Sequence, residues 1–139
     1  MPSNKHVLFD SDFFVGWMLA GDSHHQRVLK SMSVIQNDCL LPITTSWVIA
    51  ETATVLSHRK NQAVASEFLQ KIEDINFPIV HMTESLQSAA QKIFSSQTKK
   101  GTSMTDCGNV AVMRQLGISE IASFDKAYVK QFGVRLLST

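Results

Sequence analysis

The sequence has little of what marks several large classes of protein. Its 139 residues include two cysteines, Cys39 and Cys107, without CxxC spacing or any disulfide framework. That excludes a cysteine-stapled secreted domain and points to a reduced, cytoplasmic setting. With three prolines and six glycines there is no Pro/Gly-rich linker. Repeats and low-complexity tracts are absent too, so residues 1–139 read as one domain. No uninterrupted apolar run reaches the roughly 18 residues of a membrane span. The opening Met1-Pro2-Ser3-Asn4-Lys5 runs into Val7-Leu8-Phe9 and then meets Asp10, too short an apolar stretch for a signal peptide. Charge of one sign is also lacking. A formal net charge of +1 neither demands nor excludes nucleic acid. The small patches His58-Arg59-Lys60, Lys99-Lys100 and Lys126 with Lys130 read first as solvated surface.

What is present is a globular composition, 44% hydrophobic and 18% charged, in a chain long enough to bury a full core. Short apolar runs of strand length occur at residues 7–9, 40–43, 77–81, 121–124 and 134–137. Helical periodicity fills residues 13–19, 24–35, 46–58, 62–72, 83–95 and 105–116. Strands alternating with helices predict βαβ units, hence an α/β fold with a parallel sheet covered on both faces. Thr83-Glu84 is a helix start, Ser103-Met104-Thr105-Asp106 fits a capping box, and Gly117 is a stop.

Four acids fall at one end of that sheet. Asp10 directly follows the first strand and Asp125 follows Ile121-Ala122-Ser123-Phe124; in open α/β sheets, sites form outside the carboxyl ends of strands. Asp106 lies in the first turn of its helix and heads the stripe Asn109, Val110 and Met113. Glu51 lies little more than one turn into the helix after the second strand. Its helical neighbours Trp47, Val48, Thr54 and Val55 include no base. Carboxylates on core-facing stripes repel one another and resist ionisation unless a cation holds them charged. Oxygen ligands without clustered His or Cys favour Mg²⁺ or Mn²⁺ over zinc. Taken singly, Asp10 and Asp125 also read as helix caps, and Asp106 as the far end of a capping box.

At these residues the chain resembles PIN-domain proteins, specifically the VapC-type toxins of bacterial toxin–antitoxin pairs. The resemblance is carried by five stretches. They are Val7-Leu8-Phe9-Asp10-Ser11-Asp12-Phe13-Phe14-Val15, His24-His25-Gln26-Arg27-Val28 and Thr44-Thr45-Ser46-Trp47-Val48-Ile49-Ala50-Glu51, then Ser103-Met104-Thr105-Asp106-Cys107-Gly108-Asn109-Val110, and Ile121-Ala122-Ser123-Phe124-Asp125-Lys126-Ala127-Tyr128 before Gly133-Val134-Arg135-Leu136. It implies a three-layer α/β/α fold on a five-stranded parallel sheet. It also implies a Mg²⁺- or Mn²⁺-dependent ribonuclease (one or two ions), a homodimer, and inhibition by a small antitoxin. Asp10, Glu51, Asp106 and Asp125 carry over as catalytic and metal-binding acids. Ser11, Asp12, Asn109 and Ser123 are supporting candidates for metal, water or phosphate. Arg59, Lys99 and Lys100 are candidates for the RNA backbone. The resemblance assigns nothing to His24, His25 or Cys107. Helix-surface or dimer packing is the expectation for the histidines. Packing is the expectation for Cys107, although a helix N-terminus would lower a thiol pKa.

Two rival readings start from the same residues. Asp10-Ser11-Asp12 after an apolar strand resembles the nucleophile motif of haloacid-dehalogenase-type phosphatases, with Asp10 as nucleophile. Against it, Phe13-Phe14 replaces the usual small pair and a late acidic pair is missing. The other rival is a non-catalytic PIN-like RNA-binding protein.

Overall fold

The structure, a computed structural model, describes residues 5–137. Residues 1–4, on which the expectation of no signal peptide partly rests, and residues 138–139 lie outside the described residues. The element order is β1 (His6–Phe9), α1 (Ser11–Met18), α2 (His25–Asn37), β2 (Leu41–Thr45), α3 (Ser46–Arg59), α4 (Gln62–Asp74), β3 (Ile79–Val80), α5 (Glu84–Ser95), α6 (Met104–Leu116), β4 (Glu120–Ala122), α7 (Ala127–Phe132) and β5 (Arg135–Leu136). All strand pairs are parallel, in the spatial order β3-β2-β1-β4-β5.

The alternation of side chains along β1 splits the core in two. Val7 and Phe9 pack with Phe13, Phe14, Val28, Val48 and Phe68 of α1 to α4. Leu8 faces the other way, towards Leu86, Val110, Val112 and Tyr128 of α5 to α7. This is the expected three-layer arrangement. β1 reads as an unbroken apolar run because both its faces are covered. Among the described residues no helix is long and apolar enough to cross a membrane.

The elements differ from the sequence expectation mainly at the edges. The run 77–81 shrinks to β3 and 134–137 to β5, since each edge strand pairs on one side only. A short helix after Asp125, α7, was outside the expectation; its six residues are too few to show a period. The Ser103–Asp106 capping box forms, and Gly117 ends α6 in the left-handed conformation at φ 69°.

Chain order moves from β1 through β2 to β3 on one side and through β4 to β5 on the other. The order therefore reverses beside β1, and the crevice outside the carboxyl ends of β1 and β4 is where open α/β sheets place ligands.

Candidate active site

Asp10 follows the last residue of β1 and Ser123 the last residue of β4, so both enter that crevice. The Asp10 backbone N–H donates to the Ala122 carbonyl at 3.0 Å, holding the two strand ends in register. On the other side the Thr44 hydroxyl donates to the Phe9 carbonyl at 2.7 Å. Asp10 also caps α1, accepting from the Ser11 N–H at 2.8 Å. Its helix-cap reading and its site reading thus both hold.

The acids are joined through neutral groups. The Asn109 amide, fully buried, donates to Asp10 Oδ1 at 3.2 Å and to the Tyr128 hydroxyl at 3.0 Å. Tyr128 in turn donates to Asp106 Oδ1 at 2.9 Å. Asp106 Oδ2 accepts from the Ser103 N–H at 3.1 Å, completing the capping box. The Ser123 hydroxyl lies 2.9 Å from Asp10 Oδ2 and 3.3 Å from Asp12 Oδ2. With one proton it serves one of them fully at a time. Asp12 Oδ2 also accepts from the Phe124 N–H at 2.9 Å. Ser11 donates its hydroxyl to Glu51 Oε2 at 2.6 Å, tying α3 to the same crevice. Asp125 is exposed, accepts from the Ala127 N–H at 2.9 Å, and donates its own N–H to Ser123 Oγ at 3.1 Å.

The electrostatics follow from burial. Asp10, 4% exposed, is pushed up to about 8, first by burial and then by the charges of Asp12 and Asp106; its bonds from Ser11 and Ser123 offset part of this. Asp12 is pushed up to about 6 by burial, with Asp125 adding to the rise and Phe124, Ser123 and His24 opposing it. Burial, Asp10 and Asp106 drive the Tyr128 phenol far above its ordinary range, so it stays a proton donor. Among the described residues, Asp12 Oδ1 and Asn109 Oδ1 are buried without a hydrogen-bond partner. All-oxygen donors, an unpartnered buried carboxylate oxygen and carboxylates that resist ionisation together fit a hard divalent cation. No three His, Cys, Asp or Glu side chains among the described residues stand close enough to form a ready ligand group. The Asn109, Tyr128 and Ser123 bridges lie between the acids instead.

The crevice thus brings together Asp10, Glu51 and Asp106 with all four supporting candidates, Ser11, Asp12, Asn109 and Ser123. Asp125 joins through Ser123. Of the basic candidates, Arg59 lines a cavity with Asp12 but already donates to Asp22 at 2.8 Å. Lys99 instead lines a separate cavity with Lys130 and Gln131, and Lys100 is exposed. His25 Nδ1 is 2.7 Å from the Gly16 carbonyl, whereas His24 lines the Asp12 cavity. Cys107 is buried, and burial together with Asp106 pushes its thiol up despite the helix N-terminus, which suits the packing role expected of it. Tyr128, the chain's single tyrosine, is the site residue that sequence reasoning missed. No local signal marked it, because its burial and its partners on α6 exist only in the fold.

A model of the PIN domain family matches residues 7–132 of the chain. Among solved structures, the chain is similar to VapC20 of Mycobacterium tuberculosis, described as a sarcin–ricin-loop-cleaving toxin, with 21% identity and a TM-score of 0.82. The alignment covers 91% of this chain and 95% of that one. It is also similar to the FitAcB structure from Neisseria gonorrhoeae, with 14% identity, a TM-score of 0.69, and 95% and 96% of the two chains covered. No curated protein matches the chain significantly in sequence.

Proposed function

The chain belongs to the PIN domain family, and on that premise we propose that it is a metal-dependent endoribonuclease, the toxin of a type II toxin–antitoxin pair. The observation that carries this reading is Asp10. It is buried, its hydrogen bonds come from the neutral donors Ser11, Asn109 and Ser123, and the charges of Asp12 and Asp106 act on it. A carboxylate so placed is matched to a cation in its working state. The domain, residues 1–139, would act in the cytoplasm as a homodimer held in check by a cognate antitoxin. The similarity to VapC20 supports the choice of RNA as substrate.

In this reading Asp10 and Asp106 offer the direct oxygen ligands, and Glu51 and Asp125 complete or orient the set. What bound Mg²⁺ or Mn²⁺, one ion or two, supplies is a water acidic enough to attack at neutral pH and positive charge beside the scissile phosphate. Asn109 and Tyr128 fix the separation of Asp10 and Asp106. Ser11 orients Glu51, and Ser123 sits between Asp10 and Asp12. Arg59, Lys99 and Lys100 would contribute a sequence-independent hold on the RNA backbone.

Asp10 as a phosphatase nucleophile is disfavoured by the match of residues 7–132 to the PIN domain family and by Phe13 and Phe14, both buried in the core, where that motif has a small pair. The test is cleavage of RNA with Mg²⁺ or Mn²⁺, with EDTA, and by Asp106→Asn. Undiminished cleavage in EDTA or by the variant would sink the proposal. RNA bound but never cut would favour the non-catalytic reading.

A further inference from the structure

Beside the acids lies a cavity of about 350 Å³ that Ser11 and Asp12 help to line. Its remaining lining is not acidic-site chemistry. Val15 and Val55 give it apolar surface, Asp22, Ser23 and Arg59 give it polar edges, and His24 gives it an aromatic wall. The His24 ring lies nearly parallel to Phe124, 4.1 Å between centroids and 7° between planes. Phe124 in turn stacks on Phe13, at 6.1 Å and 22°. Phe13 is 2% exposed, so the ladder runs from the core to a His24 side chain that is 37% exposed. Phe124 also donates its N–H to Asp12. One residue therefore ties the ring stack to the acids.

We propose that this cavity is a nucleobase subsite, in which the face of His24 turned away from Phe124 stacks a base of single-stranded RNA next to the bond to be cut. The inference rests on the ribonuclease reading and names how that site holds its substrate. The wall is built before the ligand arrives. The His24 backbone N–H donates to Asp22 Oδ1 at 2.8 Å, its ring Nδ1 stands 3.6 Å from the same oxygen, and Arg59 donates to Asp22 Oδ2 at 2.8 Å. The neighbouring His25 ring is held at the Gly16 carbonyl. The His24 ring, stacked on Phe124 and set beside Asp22, loses little freedom on binding. The volume lies at the low end of the roughly 300–1,000 Å³ typical of small-ligand sites. That suits one splayed base, and splayed bases stacked on aromatic rings are the usual mode of single-strand RNA recognition. Arg59 already occupies the cationic place beside Asp22. The cavity therefore favours a neutral planar ring, with Asp22 as acceptor and the remaining Arg59 N–H groups as donors to its edge, over a second cation from a protein partner.

The test measures binding in EDTA, where cutting is suppressed, by fluorescence anisotropy. The probes are short labelled oligoribonucleotides of A, C, U and mixed sequence, and a ribose-phosphate oligomer of equal length without bases. His24→Ala is expected to weaken binding of the base-bearing oligomers about 10-fold, the scale of one base–aromatic stack, and to leave the base-free oligomer unaffected. His24→Phe should bind like the unaltered protein and His24→Lys should not, with thermal melts showing that each variant folds. Equal binding by His24→Ala, an equal loss on both kinds of oligomer, or rescue by Lys and not Phe would overturn the subsite. If the unaltered protein cuts RNA and His24→Ala cuts it with unchanged KM, the subsite alone falls. If the unaltered protein neither binds nor cuts any RNA, the ribonuclease reading falls with it.

Discussion

Asp106 serves structure and chemistry through different oxygens. Oδ2 closes the capping box with Ser103, and Oδ1 accepts from Tyr128. An asparagine keeps the shape and one acceptor but loses the charge. Asp106→Asn is therefore expected to reduce RNA cleavage by more than about 100-fold, beyond what an orienting partner is worth, while changing stability by no more than about 1 kcal/mol. Single-turnover cleavage beside a thermal melt checks both halves; a variant that lost activity only because it unfolded would contradict this. Tyr128 acts through others. Removing its hydroxyl leaves Asn109 on Asp10 but deprives Asp106 Oδ1 of its donor. Tyr128→Phe should fold, lose about 1 kcal/mol, and bind Mn²⁺ roughly 10- to 100-fold more weakly by calorimetry. Unchanged Mn²⁺ affinity would reduce Tyr128 to packing. The acids themselves were legible because each stands beside a strand end or in an apolar stripe. Tyr128 was not, because its partners Asn109 and Asp106 lie 19 and 22 residues away and meet it only once α6 and α7 share a face of the sheet.

At the scale of elements, the site depends on how closely α6 approaches α3. Gly108 lies between Asp106 and Asn109, and a Cβ there would stand 2.7 Å from Trp47 Cε3, 3.0 Å from Trp47 Cζ3 and 3.2 Å from Met82 Cε. Trp47 is one turn before Glu51 on α3, so the missing side chain is what lets the two acid-bearing helices close up. Gly108→Ala should cost about 1–3 kcal/mol through overpacking and lower cleavage although every acid remains. Urea melts with parallel activity measurements would show it; wild-type stability would mean that the Trp47 ring simply moves aside. This crossing was invisible in the sequence, where Gly108 is one more residue of a helical stripe. The alternation of apolar runs and helical periods did disclose the layers and all five strands, since burial of β1 on both faces leaves an unbroken Val7-Leu8-Phe9. The spatial order β3-β2-β1-β4-β5 was not disclosed, because pairing of strands far apart in sequence leaves no local mark. Yet that order sets the site: it makes β1 and β4 neighbours and so brings Asp10 to Ser123.

For the whole molecule, a net charge of +1 conceals the gathering of Asp10, Asp12, Glu51, Asp106 and Asp125 at one edge of the sheet, and that uneven distribution makes folding depend on pH. Folding raises Asp10 from 3.8 to about 8 and Asp12 from 3.8 to about 6. Between those values the folded chain holds protons that the unfolded chain has released, so stability falls as pH rises. The contribution is complete below about 4 and is lost on passing through about 6 and then about 8. Asp22 behaves oppositely. Burial acts to raise it but is outweighed by its bonds from His24 and Arg59, so its contribution disappears only in acid, below its ordinary value. In EDTA the melting temperature is accordingly expected to drop between about pH 5 and pH 8. Mn²⁺ binds the ionised carboxylates and must displace protons to do so, so it should raise the melting temperature more at the alkaline end. An ion at about 100 times its Kd adds roughly 2.7 kcal/mol, which for a domain of this size is on the order of 5–10 °C. Melts at both pH values, with EDTA and with Mn²⁺, separate the two effects. A melting temperature in EDTA that held level or rose with pH would mean the carboxylates are neutralised within the folded chain, and the case for a cation at Asp10 would lose its electrostatic basis.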